Sequence, residues 1–154
     1  MNHQQKDIIL TLLKENEMTG NYTNRYWFTY QDFLDPTDPF TDFSCENLGG
    51  KQGYVDLIQT LIRADETAKI FVAVYGYEED HNELFIYADT LIIFSKRSLS
   101  EIEQIFNAPE DIFPSDIGEE TDFSNQFLID ANGELIPAEK LFSDEYFAYY
   151  CWWD

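Results

Sequence analysis

Apolar residues recur along this chain with two different periods. In "QQKDIILTLLKENE", residues 4–17, Ile8, Ile9, Leu12 and Leu13 form one stripe at helical spacing, and Gly20 stands where such a helix would stop. The pattern then changes to alternation. Over 22–30, Tyr26, Phe28 and Tyr30 point one way and Arg25, Trp27 and Thr29 the other, which predicts a strand. Val55, Leu57, Ile58, Leu61 and Ile62 in "YVDLIQTLIRAD" return to helical register. "KIFVAVYGY" and "ELFIYADTLIIF" read as buried strands, joined as a hairpin through the charged "EEDHN". Ser98 precedes Glu101 at capping-box spacing and sets Leu99, Ile102, Ile105 and Phe106 on one face of a helix that Pro109 limits. "FLIDANGELIP" predicts a second hairpin, because Asn132-Gly133 suits a tight turn with positive φ. A short helical turn around 137–142 and a last strand, "EYFAYYCWW", complete the chain.

Between these elements lie two long acidic loops, near 31–53 and 107–125. Pro36 and Pro39 interrupt any regular element in the first, and "LGGKQG" closes it with three glycines. Loops of this length inside compact domains are usually functional or mobile. The element order α-β-α-β-β-α-β-β-β predicts one α+β domain over 1–154, a mostly antiparallel sheet of about five or six strands with two or three helices packed on one face.

Charge changes the picture most. Thirty acidic residues face nine basic ones, a net charge of −21 with a pI near 4.1, well beyond what solubility requires. Such a surface repels nucleic acid and anionic membranes and attracts a cationic protein. At 44% apolar and 17% aromatic the chain is nevertheless a folding sequence rather than a disordered one. Cys45 and Cys151 lie far apart without a CxxC spacing, so neither a zinc site nor a disulfide framework is expected. The N-terminal residues lack a basic region followed by an apolar run, and no apolar run approaches membrane-spanning length; the expected location is cytoplasmic.

Catalytic signatures are lacking. The histidines are His3, near the N-terminus, and His81, in a charged turn, and no Ser, Cys or Thr stands in a nucleophile elbow. "ENLGGKQG" matches neither a GxxxxGK[ST] nor a GxGxxG phosphate loop. "DANGE" is better read as a hairpin turn than as the start of a calcium loop, although the clustered carboxylates of 31–46 leave weak cation binding open. No cofactor, resident metal or enzymatic activity is expected. With so many acids, no single carboxylate pair can be singled out for glycosidase-like chemistry.

The acidic segments are the informative constellation. "QDFLDPTDPFTDFSCE", residues 31–46, interleaves Asp32, Asp35, Asp38, Asp42 and Glu46 with Phe33, Phe40 and Phe43. Glu78, Glu79 and Asp80 follow in "EEDHNE", and Glu119, Glu120 and Asp122 near 120. Trp152 and Trp153 end the last strand as candidate aromatic anchors. Charges that steer and aromatics that hold are the two parts of a protein interface, and these residues are the expected partner-binding set. "ELFIYADTLIIFSKRSLSEIEQIF" followed by "PSDI" resembles a strand, capped helix and proline-serine turn of small bacterial proteins. In size, acidity and lack of a catalytic motif the chain resembles, at the level of class, the immunity proteins of bacterial polymorphic and contact-dependent toxin systems. That resemblance implies a non-enzymatic inhibitor that binds a basic toxin domain, such as a nuclease. Two alternatives stay open: a nucleic-acid mimic that occupies a DNA- or RNA-binding cleft, and a small-ligand or carboxylate-based enzyme domain.

Overall fold

The computed structural model describes residues 1–43, 50–107 and 113–154. Its elements run α1 (His3–Thr19), β1 (Arg25–Thr29), α2 (Tyr30–Phe33), β2 (Thr41–Phe43), α3 (Lys51–Ala64), β3 (Lys69–Asp80), β4 (Glu83–Ser95), α4 (Leu99–Asn107), β5 (Asp116–Glu119), β6 (Gln126–Ile129), β7 (Leu135–Pro137), a 3₁₀ turn (Ala138–Lys140) and β8 (Phe147–Trp152). The fold is α+β. Eight strands form one mostly antiparallel sheet in the order β5-β8-β4-β3-β1-β6-β7, with β2 added beside β4. Two pairs are parallel, β1 with β6 and β2 with β4.

β3 and β4 are its long axis. They pair from Lys69–Phe94 to Asp80–Glu83, closed by a two-residue turn in which His81 and Asn82 both take positive φ (45° and 72°). The far edge of β4 is shared end to end: Ile86–Ala88 carry β2 and Thr90–Ser95 carry β8. The second hairpin forms as expected, with Gly133 at φ 76° where the turn needs a left-handed residue.

Alternation along the strands builds two cores. On one face, Tyr26, Phe28, Val72, Ile86, Leu91, Ile93 and Cys151 pack against Ile9 and Leu13 of α1, Leu57, Ile58 and Leu61 of α3, and Ile102 and Phe106 of α4. The opposite face holds a smaller cluster around Trp27, with Phe71, Phe94, Leu128 and Ala148, capped by Phe123 and Phe142. Trp27 is fully buried, and its indole N–H donates to Gln126 Oε1 at 2.9 Å. This second cluster covers only one end of its face. The other end lies open.

The sheet has more strands than the sequence pattern predicts. β2 lies in the expected 31–53 loop, and β5 in the expected 107–125 loop. Each is three or four residues long and gains its order from a longer neighbour, β4 or β8, rather than from its own pattern. α2 likewise turns Tyr30–Phe33 back over the helix-covered core. Among the described residues no helix is long and apolar enough to cross a membrane.

One buried carboxylate joins α3 to the end of β4. Asp65 accepts from the Ser95 hydroxyl (2.8 Å), the Lys96 amide (2.8 Å), and the Thr67 hydroxyl and amide (2.7 and 3.0 Å). Burial opposes its ionisation, but these donors outweigh burial and hold its pKa at about 2. Because the folded value lies below the unfolded one, the stabilisation is full above about pH 4 and is lost as pH falls through about 2. We therefore expect Asp65→Asn to cost about 1–2 kcal/mol at neutral pH, after allowing for solvent screening. Urea titrations should show the gap to the unmodified protein closing as pH drops from about 4 towards 2; a gap independent of pH would refute this role for Asp65.

Candidate partner-binding surface

The open end of the sheet takes its shape from two bulges. Ala73 pairs with Thr90, Val74 with Ala88 and Gly76 with Tyr87, so Asp89 on β4 and Tyr75 on β3 are each left unpaired. Both extra residues are put to use. The Asp89 carbonyl accepts the Trp153 amide at 2.9 Å, and its carboxylate accepts the Thr90 hydroxyl (2.7 Å) and the Trp152 indole N–H (3.0 Å). Tyr75 is 68% exposed and lies against Tyr87, ring centroids 5.3 Å apart. A side chain at Gly76 would begin 3.1 Å from the Tyr87 hydroxyl and would push that ring aside by a few tenths of an ångström.

A cleft of about 920 Å³ runs beside this arrangement, between the C-terminal half of α1, the α1–β1 connection and the outer edge of β3. Tyr22, Tyr75, Tyr77, Tyr87 and Trp152 line it together with Glu17, Glu78, Glu79, Asp89 and Arg25. A shallower hollow of about 300 Å³ adjoins it, sharing Arg25 and Trp152 and adding Asp116, Glu120 and Tyr150. Among the described residues, Arg25 is the only basic one lining either hollow. Its guanidinium forms no ion pair among the described residues. Desolvation first, then Tyr75 and the charges of Glu78 and Asp89, push the Tyr87 phenol pKa up. Tyr150 is raised chiefly by its hydrogen bond to Asp116, 3.0 Å away. Both phenols stay neutral donors amid carboxylates. The surface can attract a cation, stack against apolar or planar groups, and offer hydroxyls.

The structure gathers part of the expected binding set here. Glu78, Glu79, Glu120 and Trp152 line the two hollows. Asp42 is exposed and pairs in register with Tyr87, which puts it on the same open face. Asp80 is exposed at the hairpin tip, and Glu119 at the end of β5. Asp122 is exposed and accepts from the Ser124 hydroxyl (2.5 Å) and then its amide (2.9 Å), bonds that lower the Asp122 pKa in that order of weight.

Other members serve the fold instead. Phe33 (0% exposed), Phe43 (2%) and Trp153 (3%) are core residues and cannot be contact anchors. Phe43 sits against Tyr54 (4.2 Å between centroids) and Trp153 (5.8 Å), and Phe33 against Phe28. Asp38 is buried and accepts from the N-terminal ammonium (3.1 Å), Lys6 (3.2 Å) and the Phe40 amide (3.0 Å). Burial works against its ionisation, yet these donors keep its pKa below the ordinary value. Phe40 is half-buried under Lys6, whose Nζ lies 5.1 Å from the ring centroid. Asp32 accepts from Gln5 Nε2 at 3.0 Å and ties α1 to α2. Asp35 closes a turn on the Thr37 hydroxyl (2.7 Å) and amide (2.9 Å), which lower its pKa. Glu46 lies outside the described residues.

Tyr22, Tyr75, Tyr87, Arg25 and Asp89 were not among the expected residues. The signal available for them was Gly76, a lone glycine inside a strand pattern, which marks a bulge or a close approach. Among the described residues no three His, Cys, Asp or Glu side chains are grouped to hold a metal ion. No protein-family model, curated protein or solved structure matches the chain.

The adjacent tryptophans should separate the two roles. Trp153→Ala is expected to cost about 3–5 kcal/mol, the range for emptying an aromatic site in a core. Trp152→Ala, on the open face, is expected to stay within about 1 kcal/mol. Urea midpoints check both, and equal losses would contradict the division.

Proposed function

We propose that this protein is an immunity-type inhibitor, which binds a basic toxin domain and blocks it without performing chemistry. One observation carries the reading. The exposed aromatics Tyr22, Tyr75 and Trp152 stand among Glu17, Glu78, Glu79, Asp89, Asp116 and Glu120 around a single arginine. An interface needs desolvated aromatic anchors and charges that orient the encounter, and this surface offers both at one place. The net charge of −21 extends the attraction beyond contact range. The partner fitting such a surface is a cationic protein groove. On this reading the acids of 31–43 add to the field more than to the contact, because several are engaged in holding the fold. A nucleic-acid mimic would need carboxylates spaced like phosphates, whereas these come from α1, β3, β4 and the β5 segment. The size of the main cleft favours a second reading, a domain that takes a small aromatic or cationic ligand.

Co-expression tests the first reading. A basic toxin domain encoded beside the gene for this chain should stop growth alone and be neutralised when the chain is co-expressed. The charge reversal Glu78→Lys with Glu79→Lys should weaken the purified complex at least about tenfold, and Trp152→Ala by a similar factor. Asp35→Lys should matter much less. Failure to neutralise, or neutralisation indifferent to the first two variants, would contradict the proposal.

A further inference from the structure

β3 is twelve residues long, but β1 covers only Phe71–Ala73 of its outer side. From Val74 onwards β4 is its only strand partner among the described residues. No backbone group of Tyr75–Asp80 bonds to anything but β4 among the described residues. The two-residue turn makes Asp80–Glu83 the hydrogen-bonded closing pair, so the N–H and C=O groups of Tyr77 and Glu79 face away from β4. The main cleft lies along this edge. Tyr77 fixes the strand in place, its hydroxyl donating to the Glu17 carboxylate of α1 and its ring lying 5.9 Å from Lys14 Nζ.

Resting on the inhibitor reading, we infer that the outer edge of β3, from Tyr75 to Asp80, is a strand-addition site for an extended, lysine- or arginine-bearing segment of the partner. Only an extended chain presents alternating donors and acceptors at the spacing of Tyr77 and Glu79. The charge of that chain follows from its surroundings: Glu17, Glu78 and Glu79 line the cleft, and Asp80 and Glu83 stand exposed at the hairpin tip. A second copy of this chain is a poor occupant, since pairing two such edges would bring like charges together. Backbone bonds would then supply affinity, with Tyr75 and Tyr87 flanking one face of the added strand.

The test uses the whole protein and a defined probe, the peptide acetyl-Lys-Thr-Lys-Thr-Lys-Thr-Lys-amide. At low salt its binding should slow hydrogen exchange at the Tyr77 and Glu79 amides in particular. Glu79→Pro removes an outward donor that β4 does not use, and should weaken peptide binding at least about tenfold. Glu79→Gln removes only the charge, and should weaken it about two- to threefold. Should the proline variant fold poorly, a peptide N-methylated at every residue, which loses the donors of both its edges, tests the same bonds from the other side and should bind at least about tenfold more weakly. Equal binding by the proline and glutamine variants, equal binding by the methylated peptide, protection confined to other strands, or a free protein that dimerises through β3 would each overturn strand addition. Salt-sensitive binding that survives Glu79→Pro would sink this inference and leave the inhibitor reading standing. Peptide binding at β3 without neutralisation of the toxin domain would do the reverse.

Discussion

The long antiparallel pairing of β3 with β4 is the constraint on which everything else depends. β4 uses both of its edges, with β3 on one side and β2 and β8 sharing the other. β4 therefore lies inside the sheet, and Leu91–Ser95, between the two cores, is buried throughout. The helices can then cover one face while Phe123, the 3₁₀ turn and Phe142 cover part of the other. Where β3 and β4 extend past β1 and β8, the helix side stays packed and β2 borders β4, but among the described residues no element covers the face that carries Tyr75 and Tyr87. The exposed surface is thus a consequence of strand lengths: the central pair is longer than its neighbours.

The two bulges convert that overhang into a shaped surface. Releasing Tyr75 and Asp89 from the ladder turns one ring outward and gives one carboxylate to Trp152 and Thr90. The same carbonyl that leaves the ladder at Asp89 receives the Trp153 amide and seats that ring in the core. Two neighbouring tryptophans therefore have opposite fates. Carboxylates divide in the same manner. Asp38 and Asp65 spend their charge on internal donors, whereas Glu78, Glu79 and Glu120 remain on the surface.

Much of this architecture was legible in the residues. α1, α3 and α4 follow from apolar spacing, and the two hairpins from their turn residues. Trp27 lies on the opposite side from Tyr26 and Phe28, as alternation requires. β2 and β5 were not legible, because three or four residues carry no period of their own and become strands only beside a partner. Nor could Phe33, Phe43 and Trp153 be told from surface anchors. Each sits next to acids or at a chain end, and only the tertiary arrangement shows which face is buried. The cleft escaped for a related reason: Tyr22, Arg25, Tyr75 and Asp89 come from three separate segments, which only the two bulges and the packing of α1 beside the sheet bring together.

The central claim is that an acidic, aromatic-bearing open face recognises a cationic protein. The most direct measurement is the association rate with the basic protein that the proposal requires as partner, as salt is raised. The account predicts a rate that falls by about one to three orders of magnitude from low salt to about 0.5 M, with little change in dissociation. An association rate that stays flat across that range would contradict it.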